Sequence, residues 1–131
     1  VREYMDSTKE LAKKNLYVET ILGRKLHVTE INASNGLRRQ AAERAAINAP
    51  LQGSAADIIK KAMIDVDEWI GDDNPNIKMI MQVHDELIFE VKKNFAEEAL
   101  TNVISLMEKA VKLDIPLIVD ANQGSNWNEA H

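Results

Sequence analysis

The chain has 131 residues, of which 45% are hydrophobic and 28% charged, and its formal net charge is −5. The absence of cysteine excludes disulfides, thiolate zinc sites and cysteine catalysis. No apolar run approaches the roughly 20 residues of a membrane span, so no membrane partner is expected. The first residue is Val1 rather than Met, and no signal-peptide core follows it, so we expect a segment of a longer chain.

The net charge is unevenly distributed along the chain. Residues 24–61 carry seven basic and three acidic side chains, whereas residues 62–131 carry five basic and fourteen acidic ones. A polyanionic partner responds to the local charge rather than to the total. The middle third is therefore suited to phosphates, and the final third is suited to cations.

The N-terminal part predicts a helix over residues 2–14 and then a β-hairpin. LYVET and KLHV alternate in strand fashion around a turn at Gly23. The NASNG cluster follows, and Ser34 or Asn35 is expected to cap a helix from Gly36 to Ala49.

Pro50 interrupts this helical pattern. Proline suits the first turn of a helix and disfavours the α conformation in the residue before it. We therefore expect either a kink at Pro50 or a break followed by a second helix. That second helix carries an apolar stripe expected to face the core: Ala55, Ile59, Ala62, Val66 and Trp69 or Ile70.

The C-terminal part predicts a hairpin, a helix and a last strand. The stretch MIMQVHDELIFEV, residues 79–91, places three polar residues between two apolar strands. A helix is expected from about Phe95 to Val111, and IPLIVDAN is expected to be a strand entered through Pro116. The expected fold class is α+β, with an antiparallel sheet formed by this hairpin and the last strand, packed against helices.

The hairpin tip carries a candidate catalytic site. Alternation predicts Asp85 and Glu86 at the tip, beside His84, and one strand face made of Ile77, Met79, Met81 and Val83. Adjacent carboxylates repel each other unless a cation or donor neutralises them. One interpretation is a solvent-exposed acidic turn; the other is a mount for Mg²⁺, which prefers carboxylate oxygens and keeps several waters. Two-metal phosphoryl transfer requires carboxylates from more than one segment, so the hairpin is interpreted as half of a metal site.

A second candidate site lies on the alanine-rich helix. Arg44, Asn48 and Gln52 recur at four-residue spacing, which places them on one helical face. They are either caps and surface polar residues or donors to a DNA minor groove, where every base pair offers acceptors at similar positions. In the second interpretation Arg38 and Arg39 contact phosphates and position the duplex.

Together these motifs resemble the family A DNA polymerases. QVHDELIFEV is similar to that family's carboxylate motif on a hairpin of the palm, and RRQAAERAAINAPLQGSAADIIKKAM is similar to the helix pair before it. YVETILGRKLHVTEINASN resembles the connection from fingers to palm, and GSNWNEAH resembles the family's C-terminal end. The resemblance runs through essentially the whole chain.

The resemblance implies roles for individual residues. Asp85 would be a metal-ligating catalytic carboxylate, Glu86 would tune the site or contact the metal shell, and His84 would contact the primer terminus. The chain end at His131 would lie near this site. The DNA-binding set would be Arg44, Asn48, Gln52, Arg38 and Arg39.

The resemblance also implies an arrangement and an activity. Residues 1–33 would connect fingers to palm, and residues 34–131 would be the C-terminal part of a right-hand polymerase palm. The activity would be template-directed DNA synthesis with two Mg²⁺ ions. The partners would be primer-template DNA, deoxynucleoside triphosphates and the rest of the polymerase chain, in the bacterial cytoplasm and associated with the nucleoid.

Two other functions remain open from the sequence. The family's other catalytic aspartate and its nucleotide-binding fingers helix have no counterpart here, so the segment alone is expected to be inactive. It could instead serve as a non-catalytic DNA-binding or structural module. A metal-dependent phosphohydrolase using His84 and Asp85 would need further ligands, and the remaining histidines are His27 and His131.

Overall fold

A computed structural model describes residues 1–131 as four α-helices, two antiparallel β-hairpins and two short 3₁₀ turns. The elements in chain order are α1 Arg2–Asn15, β1 Tyr17–Glu19, β2 Lys25–His27, the 3₁₀ turn Thr29–Asn32, α2 Gly36–Ile70, β3 Ile77–Val83, β4 Glu86–Val91, the 3₁₀ turn Lys93–Phe95, α3 Ala96–Glu108 and α4 Trp127–Ala130. The α+β class expected from the sequence is confirmed. No helix is both long and apolar enough to span a membrane.

The chain divides into two compact units, Val1–Asp57 and Ile58–His131. Each unit has its own apolar core, and each is described separately below. The expected division at residue 33 concerns the arrangement of a whole polymerase, and it stays a prediction.

The first unit contains α1, the β1–β2 hairpin and the first part of α2. α1 ends at Leu16, whose left-handed φ of 63° lets its N–H bond the carbonyl of Ala12. β1 and β2 pair antiparallel around a turn in which Gly23 has a φ of 83°, a conformation open to glycine. The core side chains are small or β-branched: Ala12, Val18, Val28, Ile31, Ala42 and Ala46.

α2 is one helix of 35 residues that runs through Pro50. Asn35 caps it, because its side-chain Oδ1 accepts hydrogen bonds from the N–H groups of Leu37 and Arg38. Of the two expectations for Pro50, the break followed by a second helix is therefore wrong, and the kink stays a prediction. A proline inside a helix costs roughly 3 kcal/mol, and tertiary contacts on both sides of Pro50 offset that cost. The apolar stripe is buried at Ala62 and Val66, but Ala55 is exposed, contrary to prediction.

The second unit packs the end of α2 and α3 against the β3–β4 hairpin. Its buried core consists of Val66, Ile77, Ala99 and Val103, and the rings of Trp69 and Phe95 stack beside it with centroids 6.2 Å apart. α3 begins as expected and ends at Glu108, three residues before the predicted end at Val111.

The β3–β4 register differs from the predicted one in two ways. Val83 pairs with Glu86, so the two-residue turn is His84–Asp85 rather than Asp85–Glu86. A bulge at Ile80 shifts the register between Met79, which pairs with Phe89, and Met81, which pairs with Ile88. Paired residues share a face, so Met81 and Val83 lie on the face opposite Ile77 and Met79, and the expected single face is wrong.

The predicted last strand does not form. Residues 116–123 have no strand structure, and Ile115 and Ile118 are 72% and 78% exposed. A strand needs the backbone groups of a partner, and both hairpins of the chain pair only within themselves. The segment is held instead through the N–H of Val119, which donates to Oε1 of Glu108 at 3.1 Å.

Candidate nucleic-acid interface and catalytic carboxylates

The three helix residues singled out from the sequence lie on one exposed face of α2. Because α2 is continuous, Arg44, Asn48 and Gln52 follow each other at successive turns over about 12 Å of helix. All three are exposed, and their side chains have no hydrogen-bond partner within the chain. Their N–H donors are therefore available to an external acceptor.

Small residues surround this row of donors. Ala41 and Ala45 are exposed on the same stretch of helix, and Ala42 and Ala46 are buried in the core on the other side. A helix face with short side chains lets a large object approach its backbone closely. This geometry is compatible with the predicted contact with a nucleic-acid groove.

Arg38 and Arg39 lie in the first turn of α2 and are exposed. The Arg39 side chain donates from Nη1 to the carbonyl of Ala33 at 3.3 Å, whereas Arg38 makes no side-chain bond. Arg38 is therefore the freer of the two guanidinium groups for a phosphate.

The β3–β4 turn places the carboxylates in different local environments. Asp85 lies in the turn and is exposed, whereas Glu86 begins β4. His84, the first turn residue, has a φ of 53°, and its carbonyl accepts a bond from Nε2 of Gln82. Positive φ is normally supplied by glycine or asparagine at such a position, so the histidine is held in a strained conformation.

The end of the chain meets this turn. Nδ1 of His131 lies 3.4 Å from Oε2 of Glu86, and the His131 ring packs edge-on against Trp127 with centroids 5.9 Å apart. Asn126 caps the short helix α4 by accepting the N–H of Glu129 at 3.0 Å. The resemblance had implied that His131 lies near the carboxylates, and the structure brings His131 to Glu86.

The residues present fit a divalent cation only in part. Asp85 and Glu86 offer the hard oxygen donors that Mg²⁺ prefers. No three His, Asp or Glu side chains of the chain form a ligand cluster, however. The interpretation of the hairpin as half of a metal site stays a prediction.

Sequence reasoning missed two side chains that bond the backbone of α2. Tyr4 donates from its hydroxyl to the carbonyl of Ile47 at 3.1 Å, and Arg24 donates from Nη2 to the carbonyl of Gly53 at 3.2 Å. These contacts join residues 43 and 29 positions apart in the chain. No local pattern could have indicated them, and Gly53, the glycine in the interior of α2, was the available hint of a close approach.

An exposed row of side-chain N–H donors on α2 and a hairpin with two carboxylates are the features expected of a segment that contacts nucleic acid and metal ions. The family model of DNA polymerase family A matches residues 1–129, and the chain belongs to this family. The chain is 48% identical over its full length to DNA polymerase I of Pseudomonas aeruginosa, and 46% identical over 137 aligned residues to DNA polymerase I of Rhizobium leguminosarum. It spans 14% of the length of each of these relatives.

A solved structure is similar to nearly the whole chain. It is the POL domain of Pol1 from M. smegmatis in complex with a DNA primer-template and dNTP. The TM-score is 0.94 at 46% sequence identity, and the match covers 98% of this chain and 23% of that one.

Proposed function

We propose that this chain is the C-terminal part of the polymerase domain of a DNA-directed DNA polymerase. The reaction would be template-directed transfer of a nucleotide to a primer 3′-hydroxyl. The observation that carries the proposal is the uninterrupted row of Arg44, Asn48 and Gln52 on α2, in a chain whose fold matches a polymerase domain solved with primer-template DNA. As in the relatives, the segment would act within a longer chain.

Arg44, Asn48 and Gln52 would bond the minor-groove edge of the primer-template duplex near the new base pair. Purine N3 and pyrimidine O2 occupy nearly the same place in every Watson–Crick pair, so side-chain N–H donors contact them without reading sequence. A polymerase must accept every correct pair, so this insensitivity suits it. Arg38, and Arg39 more weakly, would contact the phosphates and fix the position of the duplex.

Asp85 would hold a catalytic Mg²⁺ ion together with a carboxylate from another part of the polymerase. Bound Mg²⁺ would act as a Lewis acid on the α-phosphate and help to orient the attacking 3′-hydroxyl. Glu86 would contact the metal shell, with His131 holding its carboxylate. His84 would touch the primer terminus from its strained turn position. We further propose that the enzyme acts in the bacterial cytoplasm, on nucleoid DNA.

A non-catalytic DNA-binding module is the second candidate for the isolated chain. The observation that favours it is the lack of any three-ligand cluster around Asp85 and Glu86. The same observation counts against a stand-alone phosphohydrolase, which would need those ligands within the chain.

Asp85→Ala in the full-length polymerase tests the catalytic proposal. We expect primer extension to fall by about 100-fold or more, because a charged metal ligand would be lost, with primer-template affinity little changed. Asp72→Ala removes an exposed carboxylate outside the hairpin and serves as the control. Turnover of Asp85→Ala within tenfold of the parent enzyme would refute the metal role.

A further inference from the structure

Pro50 leaves α2 with a missing hydrogen bond on the side of the helix opposite the row of donors. Proline has no N–H, so the carbonyl of Ala46 loses its i+4 donor, and the proline ring crowds that carbonyl. Pro50 lies between Asn48 and Gln52 along the sequence, but on the other side of the helix, near buried Ala46. Bending of the helix at this point would move Gln52 relative to Arg44 and Asn48.

Two hydrogen bonds from outside α2 flank this point. The Tyr4 hydroxyl donates to the carbonyl of Ile47 at 3.1 Å, three residues before Pro50. Nη2 of Arg24 donates to the carbonyl of Gly53 at 3.2 Å, three residues after it. The two accepting carbonyls are separated by about 9 Å along the helix, so the pair of bonds can resist bending at the proline.

Arg24 is itself firmly held. Its Nε donates to Oδ1 of Asp57 at 2.9 Å, and Asp57 is the one buried charged side chain of the molecule, at 7% exposure. The backbone N–H of Ile21 donates to Oγ of Ser54 at 2.8 Å and fixes the same turn to α2.

The close approach of this turn depends on Gly53. A Cβ on that residue would lie 2.5 Å from Cγ2 of Thr20, so no larger residue fits without movement. The glycine, the serine and the aspartate lie within five residues of α2, and each serves the hairpin turn. Three residues of the helix segment just after Gln52 therefore contact the same hairpin turn, which indicates a specific contact between this turn and α2.

We propose that Arg24 and Tyr4 are positioning residues that hold the course of α2 across Pro50, so that Gln52 keeps its place relative to Arg44 and Asn48 on the duplex. The inference rests on the proposed DNA-binding role of those three residues. Arg24 acts through the helix and does not touch DNA. Its loss would weaken duplex binding, and restoring the missing helix hydrogen bond would compensate for that loss.

The test is a suppressor experiment in the full-length polymerase. Arg24→Ala is expected to raise the Kd and the KM for primer-template by about fivefold, the scale of one net hydrogen bond, with kcat unchanged. Pro50→Ala restores the N–H that bonds Ala46, so the double variant Arg24→Ala/Pro50→Ala is expected to bind within twofold of the parent. A merely structural role for Arg24 would not be rescued in this way, because Asp57 would still lack the guanidinium.

Two further variants keep the proposal falsifiable if Arg24→Ala folds poorly. Tyr4→Phe removes a single hydroxyl and should raise the Kd about twofold to fivefold, again suppressed by Pro50→Ala. Lys13→Ala, which breaks only an exposed pair with Glu10, is the control and should have no effect. Circular dichroism checks that each variant is folded.

The outcomes separate the inference from the proposed function. If Arg44→Ala and Gln52→Ala leave duplex affinity unchanged, the DNA-binding role itself fails. If they weaken it while Arg24→Ala and Tyr4→Phe do not, or while Pro50→Ala fails to suppress their effects, the positioning role alone is overturned.

Discussion

Nδ1 of His131 lies 3.4 Å from Oε2 of Glu86, so the last residue of the chain contacts the carboxylate that begins β4. The side chains of the pair are 61% and 47% exposed. Exposed pairs of this kind contribute about 0–1 kcal/mol to folding. The contact is therefore better suited to orienting Glu86 than to stabilising the fold.

His131→Ala should separate these two effects. We expect the free energy of unfolding to change by less than about 1 kcal/mol. The Mg²⁺ concentration for half-maximal primer extension should rise by up to about tenfold, because an unsupported ligand is less well oriented. Asn128→Ala, on the same short helix, is the control. An unchanged Mg²⁺ requirement would contradict an orienting role for His131.

The donors on α2 should differ in their response to salt from Arg38, the arginine proposed to bind phosphate. Gln52→Ala should weaken duplex binding by about fivefold at every salt concentration, because it removes a neutral hydrogen bond. Arg38→Ala should lower the slope of log K against log salt by about 1. Equilibrium binding of a primer-template over a salt series measures both. Gln123→Ala is the matched control, and a salt-dependent effect of Gln52→Ala would argue against a groove contact.

Gly53→Ala should destabilise the first unit. The added methyl would meet Cγ2 of Thr20 at 2.5 Å, and overpacking of this kind costs about 1–3 kcal/mol. Gly36→Ala, also on α2, meets nothing closer than 4.0 Å and should be neutral or stabilising. Urea unfolding compares the free energies of unfolding of the two variants directly. Equal values would show that the hairpin turn moves to accommodate the added methyl group without loss of stability.

His84→Gly should make the protein more stable and less active. A left-handed φ costs an L-residue about 1–2 kcal/mol, partly offset by the greater freedom of glycine in the unfolded chain, so we expect a gain of up to about 1 kcal/mol. Primer extension should nevertheless fall, because the imidazole proposed to touch the primer is lost. Asp73→Gly relieves a similar φ of 55° away from the hairpin, and it should leave activity intact. Full activity of His84→Gly would show that primer extension does not need the His84 imidazole.

The sequence predicted the helices and hairpins well wherever local periodicity determines them. The ends of α1, the β1–β2 turn at Gly23 and the cap at Asn35 all depend on residues close together in the chain. The predictions failed where distant contacts decide. α2 continues through Pro50 with help from Tyr4 and Arg24, and IPLIVDAN lacks the partner that a strand requires.

For the candidate site, too, local sequence patterns were informative and contacts between distant residues were not predicted. Similarity of motifs named Asp85, Glu86 and the donors of α2 as candidates, and their roles stay predictions. It could not place the turn at His84–Asp85, because the pairing of Val83 with Glu86 depends on both strands. It could not indicate the bulge either, because an inserted residue in a strand leaves no trace in an otherwise regular alternation. That insertion, at Ile80, is visible only in the pairing of β3 with β4.

The bulge at Ile80 is one extra residue in β3, and it decides on which side of the hairpin the later residues of the strand lie. Every side chain between Met81 and the turn is presented on the opposite side from the one that simple alternation assigns. Deleting Ile80 would restore strict alternation and rotate the turn by half a revolution about the strand axis, so that Asp85 would be aimed away from its present side. Strand length alone, without any change in the chemistry of the turn, would then change the side of the hairpin on which the carboxylates lie.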